Sequence, residues 1–141
     1  MIAEAAPESL RTPVPSDAQA TTTGCQVLVI DDDEAIRELV TQVLLDEGYD
    51  VRAAGSGRAA LSLLRHERAT MMVLDLKMAD MDGETFLGES RQVAGADIPV
   101  LLLSGVADLD GHAARLGADE ALAKPFDLDD LVATVDRLLV G

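Results

Sequence analysis

The chain has 141 residues, 48% of them hydrophobic but only 2% aromatic, and a formal charge of −15. That length suits one domain with an aliphatic core, and such acidity without a Lys or Arg cluster excludes a grip on nucleic-acid backbones and disfavours anionic membranes. The lone Cys25 leaves no internal disulfide, the N-terminal residues lack the charged-then-apolar order of a signal peptide, and no apolar run nears the ~20 residues of a membrane span, so a soluble, cytoplasmic protein is expected.

Residues 1–24 carry Pro7, Pro13 and Pro15 among small and polar residues with no apolar period, which predicts a flexible tail ahead of a domain over 25–141. The tail holds Glu4, Glu8 and Asp17 against Arg11, so the acidity belongs to the domain. A first strand is predicted over Val27–Ile30. Ile36, Leu39, Val40, Val43 and Leu44 then recur at helical spacing up to Gly48. A second strand follows at Val51–Ala54, a helix over 58–67, a third strand at Met71–Leu74 and a helix over 83–92. The fourth strand is placed at Ile98–Leu103, a short helix at 109–116 and a weak fifth strand at Ala121–Ala123. Leu128, Leu131, Val132, Val135 and Leu139 form the stripe of a last helix, with Asp127 as its expected N-cap. Strands one, three and four are continuously apolar, as strands buried on both faces read. Five strands alternating with five helices predict a doubly wound parallel α/β sheet.

Ligands of such sheets bind beyond the carboxyl ends of the strands. There the first strand ends in Asp31, Asp32 and Asp33, the third in Asp75, the fourth in Ser104, and the fifth runs into Lys124 and Pro125. Neighbouring carboxylates repel one another unless a cation sits among them, and oxygen donors without His or Cys suit Mg2+. A carboxylate so placed is also a competent nucleophile for phosphoryl transfer. The chain has two lysines against nine arginines, and one of the two is Lys124. Asp33 reads as the cap of the first helix, which leaves Asp31 and Asp32 for metal. Met78 and Met81 read as loop packing, and His66 and His112 as surface residues.

Val27–Asp33, Val73–Met78, Met81–Gly83, Ile98–Gly105, Gly117–Asp119 and Lys124–Phe126, in this order and spacing, resemble the receiver domain of two-component response regulators. The resemblance implies a flavodoxin-like sheet of strand order 2-1-3-4-5. It also implies Asp75 as phosphoacceptor, Asp31, Asp32, Asp75 and the Lys77 backbone carbonyl as Mg2+ ligands, and Ser104 and Lys124 as phosphoryl contacts. The implied donor is a histidine kinase or histidine phosphotransfer protein. Because the sequence stops just after the last helix, the expected output is a downstream protein target, with no DNA-binding segment.

Three departures from the family pattern stand out. Ala79 occupies a position where proline is usual, Ala121 one where Tyr or Phe is usual, and the stretch from Ser104 to Lys124 is shorter than in many relatives, which predicts a short fourth helix. Lys77 and Val106 stand where the family tunes phosphoryl loss, and neither orients water, which predicts a long-lived phosphoryl group. Two rival readings are weighed. An aspartate-nucleophile phosphatase needs a second Asp where Lys77 stands, and a degenerate receiver acting only as a binding module is argued against by the intact acidic, hydroxyl and lysine positions.

Overall fold

The computed structural model describes residues 24–95, 98–105 and 109–140. In chain order the elements are β1 Gly24–Ile30, α1 Glu34–Asp46, β2 Val51–Ala54, α2 Gly57–His66, β3 Arg68–Asp75, α3 Gly83–Ala94, β4 Val100–Ser104, α4 Leu109–Leu116, β5 Glu120–Ala123 and α5 Leu128–Val140. The strands form one parallel sheet of order β2-β1-β3-β4-β5, as the resemblance implied. At eight residues, α4 is the shortest of these helices.

The continuously apolar strands are explained by two cores. Leu28, Ile30, Met72, Leu74 and Leu102 point to one face, where they meet Ala60, Leu61 and Leu64 of α2, Phe86 and Leu87 of α3, and Ala113 and Leu116 of α4. Val27, Val29, Met71, Val73, Leu101 and Leu103 point to the other, against Val40 and Leu44 of α1 and Leu131 and Val135 of α5. Since successive side chains leave a strand on opposite faces, a strand covered on both sides must be apolar throughout.

Helix starts are set by short polar side chains. Asp33 accepts from the Ala35 and Ile36 amides, Ser56 from Ala59 and Asp82 from Thr85. At the start of α5 it is the Asp127 carbonyl that accepts, from the Leu131 amide. Gly48, at φ +94°, ends the turn after α1 in a conformation that favours glycine.

The element limits differ from expectation in ways that backbone pairing explains. β1 opens at Gly24, one residue inside the expected tail, and β3 at Arg68, because these residues pair with each other through backbone groups that no side-chain pattern reports. β4 begins at Val100 and not Ile98, since Pro99 has no N–H for a ladder and the Val100 amide goes to Asp119 Oδ1. α2 starts one residue early, at Gly57, because Ser56 is its cap. α3 continues to Ala94 and ends at Gly95, φ +95°. Residues 1–23 of the expected tail lie outside the described residues.

Candidate functional site

The parallel register lines up the carboxyl ends of the three central strands. Ile30 of β1 pairs with Leu74 of β3, and Asp75 with Leu103 of β4. The residues just past β1 and at the ends of β3 and β4 therefore meet at one edge of the sheet. Asp31, Asp32 and Asp75 each bring a carboxylate oxygen within 4.8 Å of the other two. Asp31 and Asp75 are buried, whereas Asp32 is exposed at the rim.

Lys124, delivered from the end of β5, reaches across to this group. Its Nζ lies 3.1 Å from Asp31 Oδ2 and 3.6 Å from Asp75 Oδ2, and its own amide donates to the Ser104 carbonyl at 2.9 Å. The peptide bond from Lys124 to Pro125 is cis. Ser104 is buried at the tip of β4, paired with Ala123. Lys77 turns its side chain to solvent, and its amide donates to Asp75 Oδ1 at 3.2 Å.

One ammonium among three carboxylates leaves the pocket short of positive charge. The Asp75 carboxyl is pushed up to about 6, first by burial and then by the Asp31 charge, against the pull of the Lys77 amide and the Lys124 ammonium. The donors are oxygens throughout, two of them on buried carboxylates, a set that fits a hard divalent cation such as Mg2+ better than a softer metal.

Asp33 stays out of the pocket as the cap of α1, with its amide on Asp31 Oδ1 at 2.9 Å. His66 is exposed, and His112 Nδ1 lies 2.9 Å from an Arg115 guanidinium nitrogen. Met78 is buried in the core and Met81 packs against it. Ala121 is half-buried in β5 beside that core. Val106 lies outside the described residues.

Three contributors escaped sequence reasoning. The Arg37 guanidinium donates to the Asp31 carbonyl at 2.9 Å, the Ala79 amide to Asp32 Oδ2 at 2.9 Å, and Asp80 accepts from the Gly57 and Arg58 amides at 3.0 and 2.9 Å. Ala79 stood out in the sequence only as a missing proline, Arg37 as a lone cation one turn after an acidic run, and Asp80 not at all.

The model of the response regulator receiver domain matches residues 27–136. The chain is 39% identical over 116 residues to the response regulator MprA of Mycolicibacterium vanbaalenii, covering 81% of this chain and 50% of that protein. It is 35% identical to a probable transcriptional regulator, ycf27, of Porphyridium aerugineum, covering 81% and 48%. The chain thus spans about half the length of the curated relatives it matches. Among solved structures it resembles the chemotaxis protein CheY4 of Vibrio cholerae, with a TM-score of 0.75 and 31% identity over 82% of this chain and 99% of that one.

Proposed function

The chain belongs to the response regulator receiver domain family, and from that premise we propose that Asp75 is the residue on which it receives a phosphoryl group. Its work is phosphorylation-activated signalling in a two-component system. The observation that carries the choice of residue is the meeting of Asp31, Asp32 and Asp75 oxygens within 4.8 Å of one another, under the ammonium of Lys124.

In the proposed step an Asp75 carboxylate oxygen attacks the phosphorus of a phosphohistidine. A P–O bond forms as the P–N bond breaks, and the released imidazole nitrogen takes up a proton from water. Lys124 offsets negative charge on the transferred group, and the Ser104 hydroxyl contacts one of its oxygens. Asp31, Asp32, Asp75 and the Lys77 carbonyl are the proposed holders of Mg2+. When bound, that ion supplies charge neutralisation between carboxylates and phosphoryl oxygens.

The donor in this reading is a histidine kinase or a histidine phosphotransfer protein, and the product is a phosphorylated surface read by a downstream protein. Catalysis is confined to the chain's own phosphorylation and dephosphorylation. The acting unit is residues 24–141, since Gly24, expected in the tail, pairs with Arg68 in the sheet. The proposed compartment is the cytoplasm; among the described residues no helix is long and apolar enough to cross a membrane.

Incubation with phosphoramidate or acetyl phosphate and Mg2+ is expected to add one phosphoryl group, about 80 Da by intact mass, to the wild type and none to Asp75→Asn. An unlabelled wild type beside a labelled control receiver would overturn the proposal. Repeated turnover of small phosphoesters would instead mark a phosphatase.

A further inference from the structure

The loop between β3 and α3 carries no proline at residue 79, and the structure uses the N–H that this leaves. The Ala79 amide donates to Asp32 Oδ2 at 2.9 Å, a bond that proline lacks the hydrogen to make. The next residue faces the other way. Asp80 takes the Gly57 amide on Oδ1 at 3.0 Å and the Arg58 amide on Oδ2 at 2.9 Å. These are two donors of the first turn of α2, where a carboxylate is favoured by the helix dipole. Both amides hold the Asp80 carboxyl below its ordinary range.

The same junction is closed by packing. A Cβ at Gly57 would lie 2.5 Å from Met81 Cγ, so the loop rests on the α2 backbone itself. The Leu76 carbonyl accepts from the Gly83 amide at 2.9 Å, which fixes the far end of the loop at the start of α3. The Ala79 N–H and the base of the Asp80 side chain lie in adjoining planar peptide units that meet at the Ala79 Cα, so only the φ and ψ of Ala79 separate a shift of that N–H from Asp80.

We propose that Ala79 and Asp80 are positioning residues which tie the filling of the acidic pocket to the N-terminus of α2. The inference rests on the reading of Asp31, Asp32 and Asp75 as a cation site. Asp32 is the exposed member of that set, and it alone reaches the loop amide. Drawing its oxygens onto a cation strains or releases the Ala79 bond, and Asp80 transmits the shift to Gly57 and Arg58. Conversely, a loop anchored on α2 keeps Asp32 oriented for the cation, as outer hydrogen bonds orient metal ligands generally.

The test is a titration of the 15N-labelled full chain with MgCl2, followed by amide resonances. In the wild type the Gly57 and Arg58 signals are expected to move with the same midpoint as those of Asp32 and Asp75, while Gly95 stays still. In Asp80→Ala the Gly57 and Arg58 movements should disappear, and the Mg2+ dissociation constant should rise about tenfold. Asp80→Asn, which keeps an acceptor for one amide, should recover part of both. Ala79→Pro removes the bond to Asp32 and leaves the Asp80 bonds, so it should uncouple α2 without unfolding the helix. Wild-type Asp75 signals that move while Gly57 and Arg58 do not would overturn the coupling and leave the cation site standing. A spectrum unmoved by Mg2+ would remove the cation site itself, and the coupling with it.

Discussion

In metal-free protein, Asp75→Asn is expected to be more stable than the wild type, although it deletes the proposed phosphoacceptor. The Asp75 charge is buried beside Asp31, and its carboxyl sits at about 6 in place of the usual 3.8. For a carboxyl raised in this way, the folded state binds the proton more tightly than the unfolded one. The stability it contributes is complete below 3.8 and is lost as pH rises through about 6. The loss amounts to about 3 kcal/mol above pH 7, from the distance between those two values. Asparagine carries no charge to bury, and its carbonyl oxygen still accepts from the Lys77 amide. Urea unfolding followed by far-UV circular dichroism, in EDTA, should therefore favour Asp75→Asn by about 3 kcal/mol at pH 8, with the gap closing by pH 4. Groups far from the pocket share no partner with Asp75 and cancel from the difference. Adding Mg2+ at about a hundred times its dissociation constant should return about 2.7 kcal/mol to the wild type alone. A gap at pH 8 that is absent, reversed or unchanged down to pH 4 would refute the charge argument.

Lys124→Met removes the one ammonium within ion-pair reach of Asp31 and Asp75 among the described residues, and the Asp75 carboxyl should then titrate above about 6, read from its 13C carboxyl shift against pH. Phe86→Ala empties a fully buried aromatic site under α3 and should cost about 3–5 kcal/mol in urea unfolding, with no change in the metal-free Asp75 titration. Asp33→Ala removes the acceptor of the Ala35 and Ile36 amides, and a loss of about 1 kcal/mol is expected in the same assay.

Where burial was two-sided, the sequence was readable. The apolar runs 27–30, 71–74 and 100–103 each serve two cores, so nothing but apolar residues fits them, and the strand tips carrying Asp31, Asp75 and Ser104 followed directly. The helix stripes from Ile36 and from Leu128 were equally plain. What stayed hidden was chemistry carried by backbone groups between distant segments. Ala79 and Asp32 are 47 positions apart, and Asp80 caps a helix that begins 23 positions earlier. A cap normally announces itself by standing just before its helix, as Ser56 and Asp82 do. One supplied from across a loop leaves no local spacing to find. The early start of β3 at Arg68 was missed for a related reason, since its pairing with Gly24 is made through the main chain.

Lys124 joins the pocket from the last strand, 93 positions after Asp31. During synthesis from the N-terminus, β1 and β3 with their carboxylates leave the ribosome well before the ammonium that stands between them. A nascent chain that stops short of β5 holds the acidic residues without the ammonium that stands between them, so closing this edge of the sheet is unfavourable until β5 arrives. The fold thus has a built-in order of completion, in which full stability arrives with β5 and α5. A ribosome-stalled series of increasing length should show protection of β1 and β3 from proteolysis beginning only after residue 124 has cleared the exit tunnel.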